Sequence, residues 1–136
     1  MNARTLSRFA PVVLRLGLSA VVAWFGASQL MSPAQWISIV PAWALGISHL
    51  SANTIVFLNG CFEVVAALLL AVGIFVRWVA LLLSVHLIVI TADLGLSAIG
   101  VRDFGLAIAL FSVFLSGTDD FCFQDGGEKI QQQTAV

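Results

Sequence analysis

The sequence predicts an all-α integral membrane protein, a four-helix bundle with an interfacial segment between its first and second spans. Three observations carry that prediction. Of 136 residues, 60% are hydrophobic and only 10% are charged, whereas a soluble domain carries about 25% charged residues. A chain of this length cannot hide so much apolar surface from water by folding alone. The apolar residues also form continuous runs, not the period-two alternation that a membrane barrel needs.

A helix rising ~1.5 Å per residue needs roughly 20 apolar residues to cross a ~30 Å hydrocarbon core. Four runs approach that length: Phe9–Leu30, Ile55–Phe75, Trp78–Leu96 and Val101–Leu115, the last being the shortest. Arg4 and Arg8 give the first run the look of a secretory leader, with small residues near Gly26, Ala27 and Ser28. It is longer than a leader's apolar core, however, and Arg15 interrupts it, so we read it as a retained span. Residues 1–116 then form the membrane domain, and 117–136 a polar, flexible cytoplasmic tail.

Basic residues near span ends set orientation. Arg4, Arg8, Arg15 and the turn residue Arg77 mark the cytoplasmic side, so both termini are expected there. The connection from Met31 to Thr54 has no charged residue and lies outside. Pro33 and Pro41 disfavour a spanning helix there, while Trp36, Trp43, Ile37 and Ile39 are too apolar for water. A segment lying along the surface, with a short interfacial helix, satisfies both constraints.

Ionisable groups at membrane depth are costly and normally face the bundle interior. Here they are Arg15, Glu63, His86 and Asp93, with Arg102 and Asp103 at the mouth of the fourth span. Asn59 and Glu63 share a face of the second helix, His86 and Asp93 a face of the third, and Arg15, Ser19, Gly26 and Gln29 a stripe of the first. Helical rise places Gln29, Asn59, Glu63, Asp93, Arg102 and Asp103 in an outer polar layer and leaves Arg15 and His86 in an inner one. Arg102 is expected to pair with Asp93 or Glu63. Asp103 has a second reading as an acid capping a helix start, Arg15 as a snorkelling side chain, and Glu63 and His86 as structural interior groups. Gly17, Ala20, Ala66, Ala67 and Gly73 read as close-packing positions between helices.

Several chemistries find no support. Haem between helices wants two axial ligands, and only His86 lies at depth. Three acids beside an arginine make a poor metal site, so none is expected. Cys61 and Cys122 form no CxxC motif, and no nucleotide loop or hydrolase triad is visible. A net charge of −1 offers nucleic acid nothing. An apolar cavity with an acid–arginine cluster remains, suited to a quinone head group, a proton relay or a locked scaffold.

The order of Leu14-Arg15-Leu16, Trp24-Phe25-Gly26, Asn59-Gly60-Cys61-Phe62-Glu63, Leu68-Leu69-Leu70-Ala71, Gly73, Arg77-Trp78-Val79-Ala80-Leu81-Leu82-Leu83 and Arg102-Asp103-Phe104-Gly105-Leu106-Ala107 resembles the DoxX family of small four-helix membrane proteins. The resemblance covers about residues 10–116. It implies a membrane unit found beside redox proteins, such as the membrane subunit of a thiosulfate:quinone oxidoreductase. Arg15, Glu63, Arg102 and Asp103 match polar positions common in that family, and Gln29 stands where many members carry lysine. The expectation is therefore a subunit of a quinone-linked or other redox complex in the cell membrane (the inner membrane in a bacterium). It would be embedded in lipid beside partner subunits, with no intrinsic cofactor and a quinone as its candidate ligand. The alternatives are a non-catalytic assembly subunit and a small proton-coupled carrier using Glu63 and Asp93.

Overall fold

The computed structural model describes residues 3–119 and Cys122, with side chains from residue 9 onward. Six helices follow one another: α1 Ala3–Met31, α2 Ala34–Ile37, α3 Ala42–Ser48, α4 Ala52–Val72, α5 Val76–Leu94 and α6 Ala98–Ser116. Four of them, over Phe9–Met31, Ala52–Val72, Val76–Leu94 and Ala98–Ser116, are long and apolar enough to cross a membrane. The chain is a multi-pass membrane protein. The fourth span, expected to be the shortest, has 19 residues, as many as the third. It starts earlier than its apolar run because the Ser97 hydroxyl accepts from the Gly100 amide and caps α6. Ser51 starts α4 in the same way, accepting from Thr54.

The bundle is built from two intimate pairs, α1 with α4 and α5 with α6; the α1–α6 and α4–α5 seams are thinner. Lipid supplies little hydrophobic drive between helices, so close approach depends on small residues and polar contacts. At the α1–α4 crossing, a Cβ added to Gly26 would come within 2.9 Å of the Gly60 carbonyl oxygen, and one on Gly60 within 2.9 Å of that of Gly26. These two glycines let the backbones touch. The positions expected to do so divide: Ala66 and Ala67 are buried, whereas Gly17 and Ala20 are exposed and point away from the bundle. The apolar core runs through Leu70, Ala80, Leu83, Ala107 and Leu110, all fully buried.

The connection after α1 does form short helices. α2 and α3 lie over one end of the bundle, and the Trp36 indole donates to Ser28 Oγ at 3.2 Å. At the opposite end, Gly73 (φ 84°) ends α4 in the left-handed region and Phe75 (φ 50°) starts α5.

That opposite end also decides between the two readings of Arg15. Arg15 does not snorkel; it is 2% exposed. Its Nε donates to Asp119 Oδ2 at 2.7 Å, and its Nη1 to the carbonyls of Leu70 and Ala71 at 2.6 Å each. A buried guanidinium thus finds a carboxylate and the orphan carbonyls of the last turn of α4. Asp119 and Cys122, assigned to a flexible tail, are buried against the bundle, and Cys122 packs on Gly73. The reason is that Arg15 needs a counter-charge, and the chain just past α6 supplies it. Residues 120, 121 and 123–136, the rest of the expected tail, lie outside the described residues.

Candidate functional site

A cavity of about 120 Å3 opens within the half of the bundle that α2 and α3 cover. Val22, Phe25 and Gln29 of α1, Val56, Asn59 and Glu63 of α4, Leu87 and Ile90 of α5, and Arg102, Asp103 and Leu106 of α6 form its walls. Trp36, Ile39, Val40 and Pro41 close it from above. The lining is mostly apolar, with its polar atoms gathered at two places.

The first is a triangle of side chains across the α1–α4 contact. Gln29 Nε2 donates to Glu63 Oε2 at 2.8 Å, Asn59 Nδ2 donates to Glu63 Oε1 at 3.0 Å, and the same Nδ2 donates to Gln29 Oε1 at 2.8 Å. Local geometry dictates this. Asn59 and Glu63 are one helical turn apart, and Gln29 lies one turn beyond Gly26, the residue that brings the helices together. Glu63 is 4% exposed and receives two amide N–H groups, so the buried carboxyl is held in one orientation.

His86 joins this group instead of forming an inner layer with Arg15. Its Nε2 stands 3.6 Å from Glu63 Oε1, beyond hydrogen-bonding distance, and has no hydrogen-bond partner among the described residues. Phe62 packs edge-on against the imidazole with ring centroids 4.9 Å apart.

The second polar place is on α6. Arg102 Nε and Nη2 both meet Asp103 Oδ1 at 2.7 Å, and the guanidinium lies over the Phe25 ring, 3.8 Å from its centroid. Neither Asp93 nor Glu63 is its partner. The adjacent acid wins because it is buried on the same helix, and the aromatic face of α1 takes the rest of the cation's field. Asp103 is not the cap of α6 either, since Ser97 fills that role and Asp103 lies more than a turn inside. The remaining N–H groups of Arg102 have no partner among the described residues and sit at the cavity wall.

Asp93 leaves the cluster altogether. It is exposed near the end of α5 and accepts from the Trp43 indole at 3.1 Å, which ties α3 to the bundle. His86 and Asp93 share a helix face, but seven residues separate them along the axis by ~10 Å, enough to place one inside and the other at the rim.

Of the seven candidate residues, then, Asn59, Glu63, Arg102 and Asp103 line one cavity with His86 adjoining it. Gln29, placed in the outer polar layer from sequence but not among those seven candidates, is a full member of the site. Among the described residues no group of three or more His, Cys, Asp or Glu side chains converges on a point. The arrangement can hold an uncharged ring with polar substituents, donate hydrogen bonds from a cation at one wall, and exchange a proton with a carboxyl at another.

A family model described as DoxX matches residues 10–96. That span takes in Arg15, Gln29, Asn59, Glu63 and His86, while Arg102 and Asp103 lie beyond it. No curated protein and no solved structure matches the chain.

Proposed function

Because the chain belongs to the DoxX family, we propose that it is the quinone-binding membrane subunit of a redox system whose electron-transferring partner is a separate chain. The cavity carries this reading. Its 120 Å3 is close to the ~150 Å3 of an engineered cavity that holds a single benzene ring. Mostly apolar walls suit the ring faces, and the free N–H groups of Arg102 suit a ring carbonyl. Glu63, fixed by two amides and close to His86, offers a proton to a second ring oxygen. These side chains supply hydrogen bonds, charge and protons but not electrons, which is why the reading includes a partner.

The test is binding of a short-chain quinone to the purified full chain in nanodiscs. A buried polar partner left unsatisfied costs about 1–3 kcal/mol, so Glu63→Gln is expected to weaken binding by roughly 5- to 150-fold. No saturable binding to the unaltered protein would overturn the reading. A Glu63→Gln variant that binds equally well would remove Glu63 from it. A purely structural subunit would instead keep complex activity under Glu63→Gln and lose assembly on deletion of residues 36–43. A proton-coupled carrier would show pH-dependent flux in proteoliposomes.

A further inference from the structure

Resting on that quinone reading, we propose that the ligand reaches the cavity sideways from the bilayer, through the seam between α4 and α5, with its tail in a groove there and His86 as its threshold contact.

Four observations lead to this. A shallow, open groove lies at the seam, lined by Ile55, Leu58, Asn59 and Phe62 of α4 and His86 of α5. Ile55 and Asn59 also line the cavity, so groove and cavity adjoin through the same side chains. The seam is a thin one, where α4 and α5 touch over far less of their length than α1 and α4 do. Trp36, Ile39, Val40 and Pro41 cover the cavity from above, which leaves the side as the open direction.

A further observation identifies the visitor. His86 lies ten residues from Val76 and eight from Leu94, so it is ~12–15 Å from either end of α5, deep in the hydrocarbon. Its Nε2 is buried without a hydrogen-bond partner although the ring itself is 23% exposed at the groove. Such an atom at such a depth costs free energy that acyl chains cannot return. A phospholipid headgroup does not descend that far. A molecule that carries a polar ring to mid-bilayer on a hydrocarbon tail does, and a ring carbonyl or hydroxyl can hydrogen-bond to Nε2 as the head passes toward Glu63. The occupant is therefore an isoprenoid- or alkyl-tailed quinone or quinol, not a water-soluble ring.

The experiment compares a decyl-tailed benzoquinone with its tail-less parent on the full chain in nanodiscs, with affinities expressed per lipid so that partitioning cancels. The unaltered protein is expected to prefer the tailed compound by about tenfold. Leu58→Trp, at an exposed groove position outside the cavity, should erase that preference and leave tail-less binding within about twofold. His86→Leu should weaken the tailed compound by about fivefold or more, and His86→Gln, which keeps a hydrogen-bonding group, should recover part of it. Equal affinity for the two compounds, or a tail preference that survives Leu58→Trp, overturns the lateral route while leaving the cavity reading intact. Failure of both compounds to bind the unaltered protein overturns both.

Discussion

Replacing Asp119 with alanine strands a buried cation, and the structure allows the consequence to be worked out. Arg15 and Asp119 side chains are 3% and 4% exposed, so solvent does little to screen their interaction. Asp119→Ala removes the Nε contact at 2.7 Å and the Nη2 contact at 3.3 Å; the Leu70 and Ala71 carbonyls remain. Dipoles alone do not neutralise a desolvated guanidinium, and removing one member of a buried pair costs about 3–5 kcal/mol. Replacing both members with apolar side chains removes the unpaired charge. The Arg15→Met/Asp119→Leu variant should lose only about 1–2 kcal/mol, the cost of two helix-terminal carbonyls left without a donor. Unfolding titrations in mixed micelles, followed by circular dichroism, measure both. The reasoning is refuted if Asp119→Ala lies within about 1 kcal/mol of the unaltered protein, or if the double variant is no more stable than the single.

Other outcomes follow from the same contacts. Gly60→Ala places a methyl 2.9 Å from the Gly26 carbonyl oxygen, so it should destabilise by about 1–3 kcal/mol and, by parting Gln29 from Glu63, lower quinone affinity in the binding assay. Glu63→Gln should weaken quinone binding and also destabilise by about 1–3 kcal/mol, since its amide sets an N–H against one of the buried amide donors that the carboxyl accepts from. Burial pushes the Cys122 thiol above its ordinary value of 9.0, outweighing the nearby backbone hydrogen bond and Arg15. Alkylation of Cys122 by a water-soluble maleimide should therefore lag behind that of a free thiol until more alkaline pH. The linked stability is fully present below the unfolded thiol's value and is lost as pH rises through the higher folded one.

The four spans were readable because hydrocarbon imposes length and composition on every helix that crosses it. Asn59 and Glu63 were readable as partners because helical spacing places them on one face. His86 escaped because depth counted from opposite ends left ~6 Å between it and Glu63, a gap that two side chains close. Arg15–Asp119 escaped for a different reason: the carboxylate belongs to a polar stretch past the last span, where no periodicity marks it. Asp93 misled because shared helix face says nothing about which end is buried. The Gly26–Gly60 approach lay in plain view as two small residues, but only the crossing of α1 and α4 distinguishes them from Gly17, which meets nothing.

The pairing of Arg15 with Asp119 also bears on how the protein is made. A helix that enters the bilayer first carries a guanidinium whose carboxylate is translated 104 residues later. Until then the cation must stay solvated at the surface or shelter in the insertion machinery, so the first helix cannot settle to its final depth early. The Arg15–Asp119 contact can therefore form only after the segment past α6 has emerged, which makes it a closure between the first helix and the chain beyond the last.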